Sequence, residues 1–397
     1  MNLFSERGSS GSGRRLRGIG TGSCRTLGMA SPWLALALLS AGCTSPPRTA
    51  CNPDPAPETL GSICGFANPE DVEVVPSAGL LLVSQMRRGD AGGSIAAIAL
   101  DVPVQQRTAP RILWPGADRT RRGSGADTGA DPSCAAPPDR FSPHGITSAA
   151  TGDAGFVRIA AVGHGEREAV ELFDLAGAGD AATLTWRGCV PLPEDTAGND
   201  VALGADGEIV VSNYMPAMTG VSGFYYTLAS GMGKNTGDIM TWRRDRGWQH
   251  VAGTVAPAPN GIVLSKDGAA LLYAETGSGL VRREARSGVD ARDQFVMIGG
   301  NPDNLSFGAD GRILAVTHTD GAAFLLCAFG RHPCRTGWSL FEIDPGNLTA
   351  TQLLHHDGSV VGAVASAAQA GDRFYFGAVF DDRIGVWQHR RTDNPAR

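Results

Sequence analysis

Lysine is almost missing from this chain: Lys234 and Lys266 are the only two in 397 residues, although arginine is common. That scarcity reads as a GC-rich coding bias with little functional content. Long helical periodicity is missing too, which leaves strands as the main material for a core. The apolar run from Trp33 to Leu39 is too short to span a bilayer as a permanent helix. The cysteines nowhere show the tight two-pair spacing of a zinc site. An excess of positive charge is also absent. The formal net charge is −6, and without residues 1–42 it becomes −10, from 29 basic and 39 acidic residues. An acidic chain argues against nucleic acid as a partner.

What is present begins with a targeting segment. Arg7, Arg14, Arg15, Arg17 and Arg25 precede the apolar run, which ends in Ser40-Ala41-Gly42-Cys43. A basic stretch, a short apolar core and small residues make a signal peptide over 1–42. The terminal cysteine resembles a bacterial lipoprotein box, so Cys43 is the expected lipidation site and the only expected membrane contact. Export to the cell envelope, anchored or freely secreted, follows. Residues 43–60 read as a linker and 61–397 as the folded body. Cys51, Cys64, Cys134, Cys189, Cys327 and Cys334 then suit an oxidising compartment, with Cys51/Cys64 and Cys327/Cys334 the easiest local pairs.

Six segments share one pattern: a small or polar pair, an apolar run, a tight turn and a second apolar run. They span Pro69 to Gln85, Pro143 to His164, Gly198 to Asn213, Pro259 to Glu275, Pro302 to His318 and, more weakly, Val361 to Ala378. Asp206-Gly207, Asp267-Gly268 and Asp310-Gly311 are hairpin turns between the runs. The spacing fits four-stranded blades, so the expected fold is an all-β, six-bladed propeller with a central channel. Residues 106–140 read as a long exposed loop, and 214–238, with Phe224-Tyr225-Tyr226, as a wall for the channel mouth.

A propeller gathers the polar pair that opens each inner strand at one end of the channel. Glu70 and Asp303 bring two carboxylates there, and Asn199, Asn260 and Asn304 three amide oxygens. Such a set suits a calcium ion, which takes six to eight oxygens in flexible geometry. Taken singly, each of these residues is more often a turn or strand cap. Asp71 and Asp200 lie one residue on and point to the other side of their strands, where they suit a second calcium with the Ile146 carbonyl. His144 and His164 are equidistant from the turn at residues 152–155 and are expected to face each other. His144 then deprotonates water while His164 orients it, unless the two are structural or ligand-gating histidines. His318, closing the fifth hairpin, is a candidate substrate contact or a solvated strand end.

The segments Pro69-Glu70-Asp71-Val72-Glu73-Val74, Phe141-Ser142-Pro143-His144-Gly145-Ile146, His164 followed by Val170-Glu171-Leu172-Phe173, Asn199-Asp200-Val201, Asn260-Gly261-Ile262 and Asp303-Asn304-Leu305-Ser306, in this order, resemble the serum paraoxonase/arylesterase family of calcium-dependent lactonases. The resemblance runs from about residue 60 to the end. It implies a catalytic calcium at Glu70, Asn199, Asn260, Asp303 and Asn304, a structural calcium at Asp71, Asp200 and the Ile146 carbonyl, and a His144–His164 dyad. The implied activity opens lactones or cleaves aryl esters. Three features depart from the family. The histidines sit one residue further apart, no cysteine follows Cys334 to close the ring, and Met215, Met218 and Met232 mark a different lid. Two other readings stand beside it: a propeller hydrolase resembling senescence marker protein/gluconolactonases, with one divalent metal, and a non-catalytic binding propeller.

Overall fold

The computed structural model describes residues 49–86, 92–100, 110–116, 129–151, 155–216, 220–286, 294–328, 330 and 334–389. The signal segment, Cys43 and Met218 lie outside them. β1 (Leu60–Cys64) precedes the first blade. That blade is β2 (Pro69–Val75), β3 (Leu80–Gln85), β4 (Ser94–Ala99) and β5 (Arg111–Trp114). The second is β6 (Phe141–Ala150), β7 (Phe156–Gly165), β8 (Ala169–Ala176) and β9 (Thr183–Pro191). The third is β10 (Ala197–Leu203), β11 (Ile209–Met215), β12 (Asp238–Arg243) and β13 (Gly247–His250), with α1 (Gly220–Gly231) between its second and third strands. The fourth is β14 (Pro259–Leu264), β15 (Ala270–Glu275), β16 (Leu280–Ala285) and β17 (Gln294–Met297). The fifth is β18 (Asn301–Phe307), β19 (Ile313–His318), β20 (Trp338–Ile343) and β21 (Ala350–His356), with α2 (Gly321–Ala328) inserted as α1 is. The sixth is β22 (Val364–Ala370), β23 (Arg373–Ala378) and β24 (Arg383–Gln388), and β1 completes it beside β24.

All strand pairs are antiparallel, and the first two strands of each blade are the hairpins read from the repeats. The ring closes through the β1–β24 ladder, from Leu60 opposite Trp387 to Cys64 opposite Arg383. This closure needs no cysteine in the last blade. Disulfides join Cys51 to Cys64, Cys134 to Cys189 and Cys327 to Cys334.

Burial explains why the second run of each repeat is so uniformly apolar. Leu80 and Leu82 of β3 pack with Phe141, Ile159 and Phe173 of the second blade. Leu81 and Val83, on the opposite face of that strand, pack with Tyr375, Ile384 and Val386 of the sixth. Each blade is thus sandwiched, and its second strand has no solvent face to keep polar. The same kind of core fills each of the other four junctions.

Two expectations are corrected. The stretch 106–140 is not one loop: Arg111–Trp114 is the outer strand of the first blade. Cys134 and Ala130 are buried. A four-residue strand among glycines and prolines is too short for alternation to reveal it. Residues 49–59 are also more than a linker. The Cys51 disulfide, the Asn52 carbonyl accepting from the Ser62 amide at 2.9 Å, and the Thr49 carbonyl accepting from Arg383 at 2.8 Å tie them to the sixth blade.

Candidate functional site

Each inner strand opens with a β-bulge at the equivalent place, next to Asp71, His144, Asn199, Asn260, Asp303 and Ala365. A bulge re-aims the side chain it carries. Here it turns the polar residues into the channel. It also shifts the histidine register, since His164 lies opposite Ser142 and not His144. The two imidazoles still meet, with His144 Nδ1 3.2 Å from His164 Nε2.

Glycines beside the bulges let neighbouring inner strands converge. A Cβ on Gly145 would collide with Asp200, and one on Gly261 with the Asn304–Leu305 backbone. The His-Gly-Ile and Asn-Gly-Ile segments therefore have a packing reason.

Glu70, Asn199, Asn260 and Asn304 are at most 4% exposed and Asp303 is 8% exposed. A hydrogen-bond frame sets their orientation. Asn304 Nδ2 donates to Glu70 Oε1 at 2.8 Å, and Asn260 Nδ2 donates to Thr276 Oγ1 at 3.1 Å. Thr276 in turn donates to the Pro302 carbonyl at 2.7 Å. With the Asn260 and Asn304 nitrogens engaged, their amide oxygens are left over. Glu70 Oε2, Asn199 Oδ1, Asn260 Oδ1 and Asn304 Oδ1 are all buried without a hydrogen-bond partner. Four orphaned acceptors in one place are costly unless something positive meets them.

Electrostatics agrees. Burial drives the Glu70 carboxyl far above the usual carboxylate range, and Asp71, Asp303 and Asp200 push it further. Among the described residues no three His, Cys, Asp or Glu side chains are grouped so as to hold a metal ion by themselves. The donors are amide-rich oxygens, a set that suits a hard ion such as calcium.

The second-layer acids are arranged differently. Asp71 accepts from the Val72 amide through Oδ1 and the Ile146 amide through Oδ2, both at 2.8 Å. Asp200 likewise accepts from Val201 at 2.7 Å and Ile262 at 2.8 Å. Each carboxylate staples its blade to the next inner strand, and Ile146 meets Asp71 through its N–H. Burial raises Asp71 to about 7 and Asp200 well above its usual value.

His144 is buried, and its Nε2 lies 3.5 Å from Glu70 Oε1. Burial, then the neighbouring His164, holds its pKa well below the usual value, so the ring is neutral. His318 is not a solvated strand end. It is 2% exposed, donates from Nε2 to Asp303 Oδ2 at 2.8 Å, and packs on Phe324 of α2 at 4.0 Å between centroids.

These residues border a cavity of about 640 Å³. Glu70, His144, Asn199, Asn260, Asp303 and His318 line its polar side, while α1 and α2 supply Phe224, Leu228, Phe324 and Leu325. The wall expected at 214–238 is thus α1 and its flanks. Two further residues belong to the site: Tyr214, the first residue of the expected wall, and Glu168, which nothing in the sequence marks. Tyr214 lines the cavity, its hydroxyl pKa raised by burial and by Asp303. Glu168 accepts from His164 Nδ1 at 2.6 Å.

Two solved structures resemble the chain over most of its length. A luciferin-regenerating enzyme shares 11% identity over 84% of this chain and 97% of its own, with a TM-score of 0.50. A gluconolactonase from Xanthomonas campestris shares 14% identity over 86% and 97%, also with a TM-score of 0.50. The shared fold is the six-bladed β-propeller. No family model matches the sequence, and neither does any curated protein.

Proposed function

We propose that the chain is a calcium-dependent hydrolase that opens lactones and cleaves related esters. The observation that carries this reading is the set of four orphaned buried oxygens beside a neutral histidine at one end of a cavity. Glu70, Asn199, Asn260, Asp303 and Asn304 would hold the catalytic calcium. Asp71, Asp200 and the Ile146 carbonyl belong to the same proposal as a structural site. Bound calcium would supply a Lewis acid that polarises an ester carbonyl and favours a developing oxyanion.

The chain's own groups do the rest. His144, neutral at working pH, takes a proton from water through its free ring nitrogen. His164 supports His144 from behind, and His318 orients Asp303. The gluconolactonase with this fold opens a lactone by its name, which supports the reaction class. The cavity wall points away from a sugar lactone, because Phe224, Leu228, Phe324 and Leu325 suit an apolar chain better than a ring of hydroxyls.

Purified protein is therefore expected to hydrolyse a panel of aliphatic lactones and phenyl acetate in calcium, to stop on chelation and to recover on calcium return. Tight calcium binding without turnover of any panel member would leave a binding propeller instead. Phe224→Ala is expected to raise KM for long-chain lactones about 10-fold while sparing short ones. An equal effect on both would remove α1 from the substrate wall.

A further inference from the structure

We propose that Glu168 is a positioning residue that completes a Glu168–His164–His144 relay and thereby makes His144 the base. The proposal rests on the hydrolase reading of the site. Its observations lie outside the calcium ligands, in the hairpin between β7 and β8. Gly163 pairs with Ala169 at the end of that ladder, so His164 and Glu168 form the next rung. Gly165, at φ +110°, makes the turn; a Cβ there would collide with the Arg140 carbonyl. The Glu168 carbonyl accepts from the Leu192 amide at 2.9 Å, which fixes its backbone. Arg167 does not compete for Glu168, because it pairs with Glu171 at 2.8 and 3.1 Å.

The geometry selects a tautomer. An ionised carboxylate only accepts, so Glu168 Oε2, at 2.6 Å, requires the proton of His164 on Nδ1. With its proton on Nδ1, His164 presents a bare Nε2, which at 3.2 Å accepts the Nδ1 proton of His144. His144 keeps a lone pair on Nε2. Without Glu168, His164 is free to hold its proton on Nε2. That proton would point at His144 Nδ1, and His144 would carry its own on Nε2, 3.5 Å from Glu70 Oε1. In that arrangement no lone pair remains for water.

The step balances as follows. A water O–H bond breaks and its proton goes to His144 Nε2, while the water oxygen forms a bond to the carbonyl carbon and the C=O π pair moves onto the carbonyl oxygen. That pair then re-forms the C=O bond as the ring C–O bond breaks, and the leaving alkoxide takes the proton back from His144. Between these events the Nδ1 proton of His144 is shared with His164, whose growing positive charge faces the Glu168 carboxylate.

The test uses the full-length protein in calcium, with Glu168→Gln, Glu168→Ala, His164→Gln and the Glu168→Gln/His164→Gln double variant. Both Glu168 changes are expected to lower kcat about 10- to 100-fold, with lactone KM and calcium affinity held within about twofold. The double variant is expected to be no slower than His164→Gln, since Glu168 acts only through that ring. Parental kcat in Glu168→Ala, or losses that simply add, would overturn the relay. Nitrogen-15 NMR of the histidine rings reads the tautomer without substrate. The parent is expected to carry the His164 proton on Nδ1, and Glu168→Ala to lose that preference. If the parent hydrolyses no ester, the hydrolase reading falls, while the NMR result still decides whether Glu168 sets the tautomer; an Nε2 proton in the parent overturns the proposal outright.

Discussion

Asp303→Ala is expected to abolish calcium-supported ester hydrolysis, with a loss on the order of 10²–10³ in kcat/KM. Asp303 brings one of two carboxylates to a site whose remaining donors are neutral amides, so its removal halves the formal charge of the proposed ligand set. It also strands His318, which would keep a buried Nε2–H with no acceptor. Calorimetric calcium titration should show a weakened site, and Asp303→Asn separates the two effects. Asparagine preserves an acceptor for His318 while removing the charge, so it should lose calcium affinity as alanine does but keep more thermal stability. Full activity in Asp303→Ala with unchanged calcium affinity would rule out this site as the catalytic metal centre.

His144→Gln addresses the base independently. It is expected to bind calcium normally and to lose about 100-fold in kcat. The contrast with Asp303→Ala matters because His144 and Glu70 are in contact. A loss of calcium binding in His144→Gln would make the histidine part of the metal frame.

The propeller was readable because its architecture repeats a local pattern six times. Asp267-Gly268 and Asp310-Gly311 mark turns that any single hairpin would need. Topology alone then brings Glu70 to within hydrogen-bonding distance of Asn304, 234 positions away in sequence. The bulges were not readable. An extra residue in one strand leaves no compositional mark, so counting outward from a turn puts His144 opposite His164, where the ladder puts Ser142. The same limit hid the second layer: alternation predicts that Asp71 and Asp200 point away from Glu70 and Asn199, but not that amides of the next blade meet them. Glu168 was hidden by its setting, one of three charged residues in a four-residue turn, Gly165-Glu166-Arg167-Glu168. α1 escaped a helical reading because its apolar residues line one side of a cavity and no continuous stripe faces a core.

The calcium-free protein is expected to become more stable as pH falls from about 8 toward about 5, against the usual trend for carboxylates held in ion pairs. Burial raises Glu70 and Asp200 well above their ordinary values, and raises to about 7 both Asp71 and Glu73, a β2 residue outside the proposed ligand sets that accepts from the Ser148 amide at 2.9 Å. Between the unfolded values near 4 and these raised ones, the folded chain holds protons that the unfolded chain has released. Stability therefore falls as pH rises from about 4, through about 7 for Asp71 and Glu73 and past it for Glu70 and Asp200. The four carboxylates outweigh buried His144 and half-buried His356, whose lowered values act in the opposite sense below about 6.5. Calcium reverses this dependence, since it binds the ionised form and not the protonated one. Scanning calorimetry with chelator and with calcium should show the melting temperature of the calcium-free protein dropping on the order of 5 °C from pH 5 to 8. The calcium-induced rise should be large at pH 8 and nearly absent at pH 5. An equal rise at both pH values, or a calcium-free protein that melts earlier on acidification, would mean that calcium binds elsewhere and that some other cation or water meets the four orphaned oxygens.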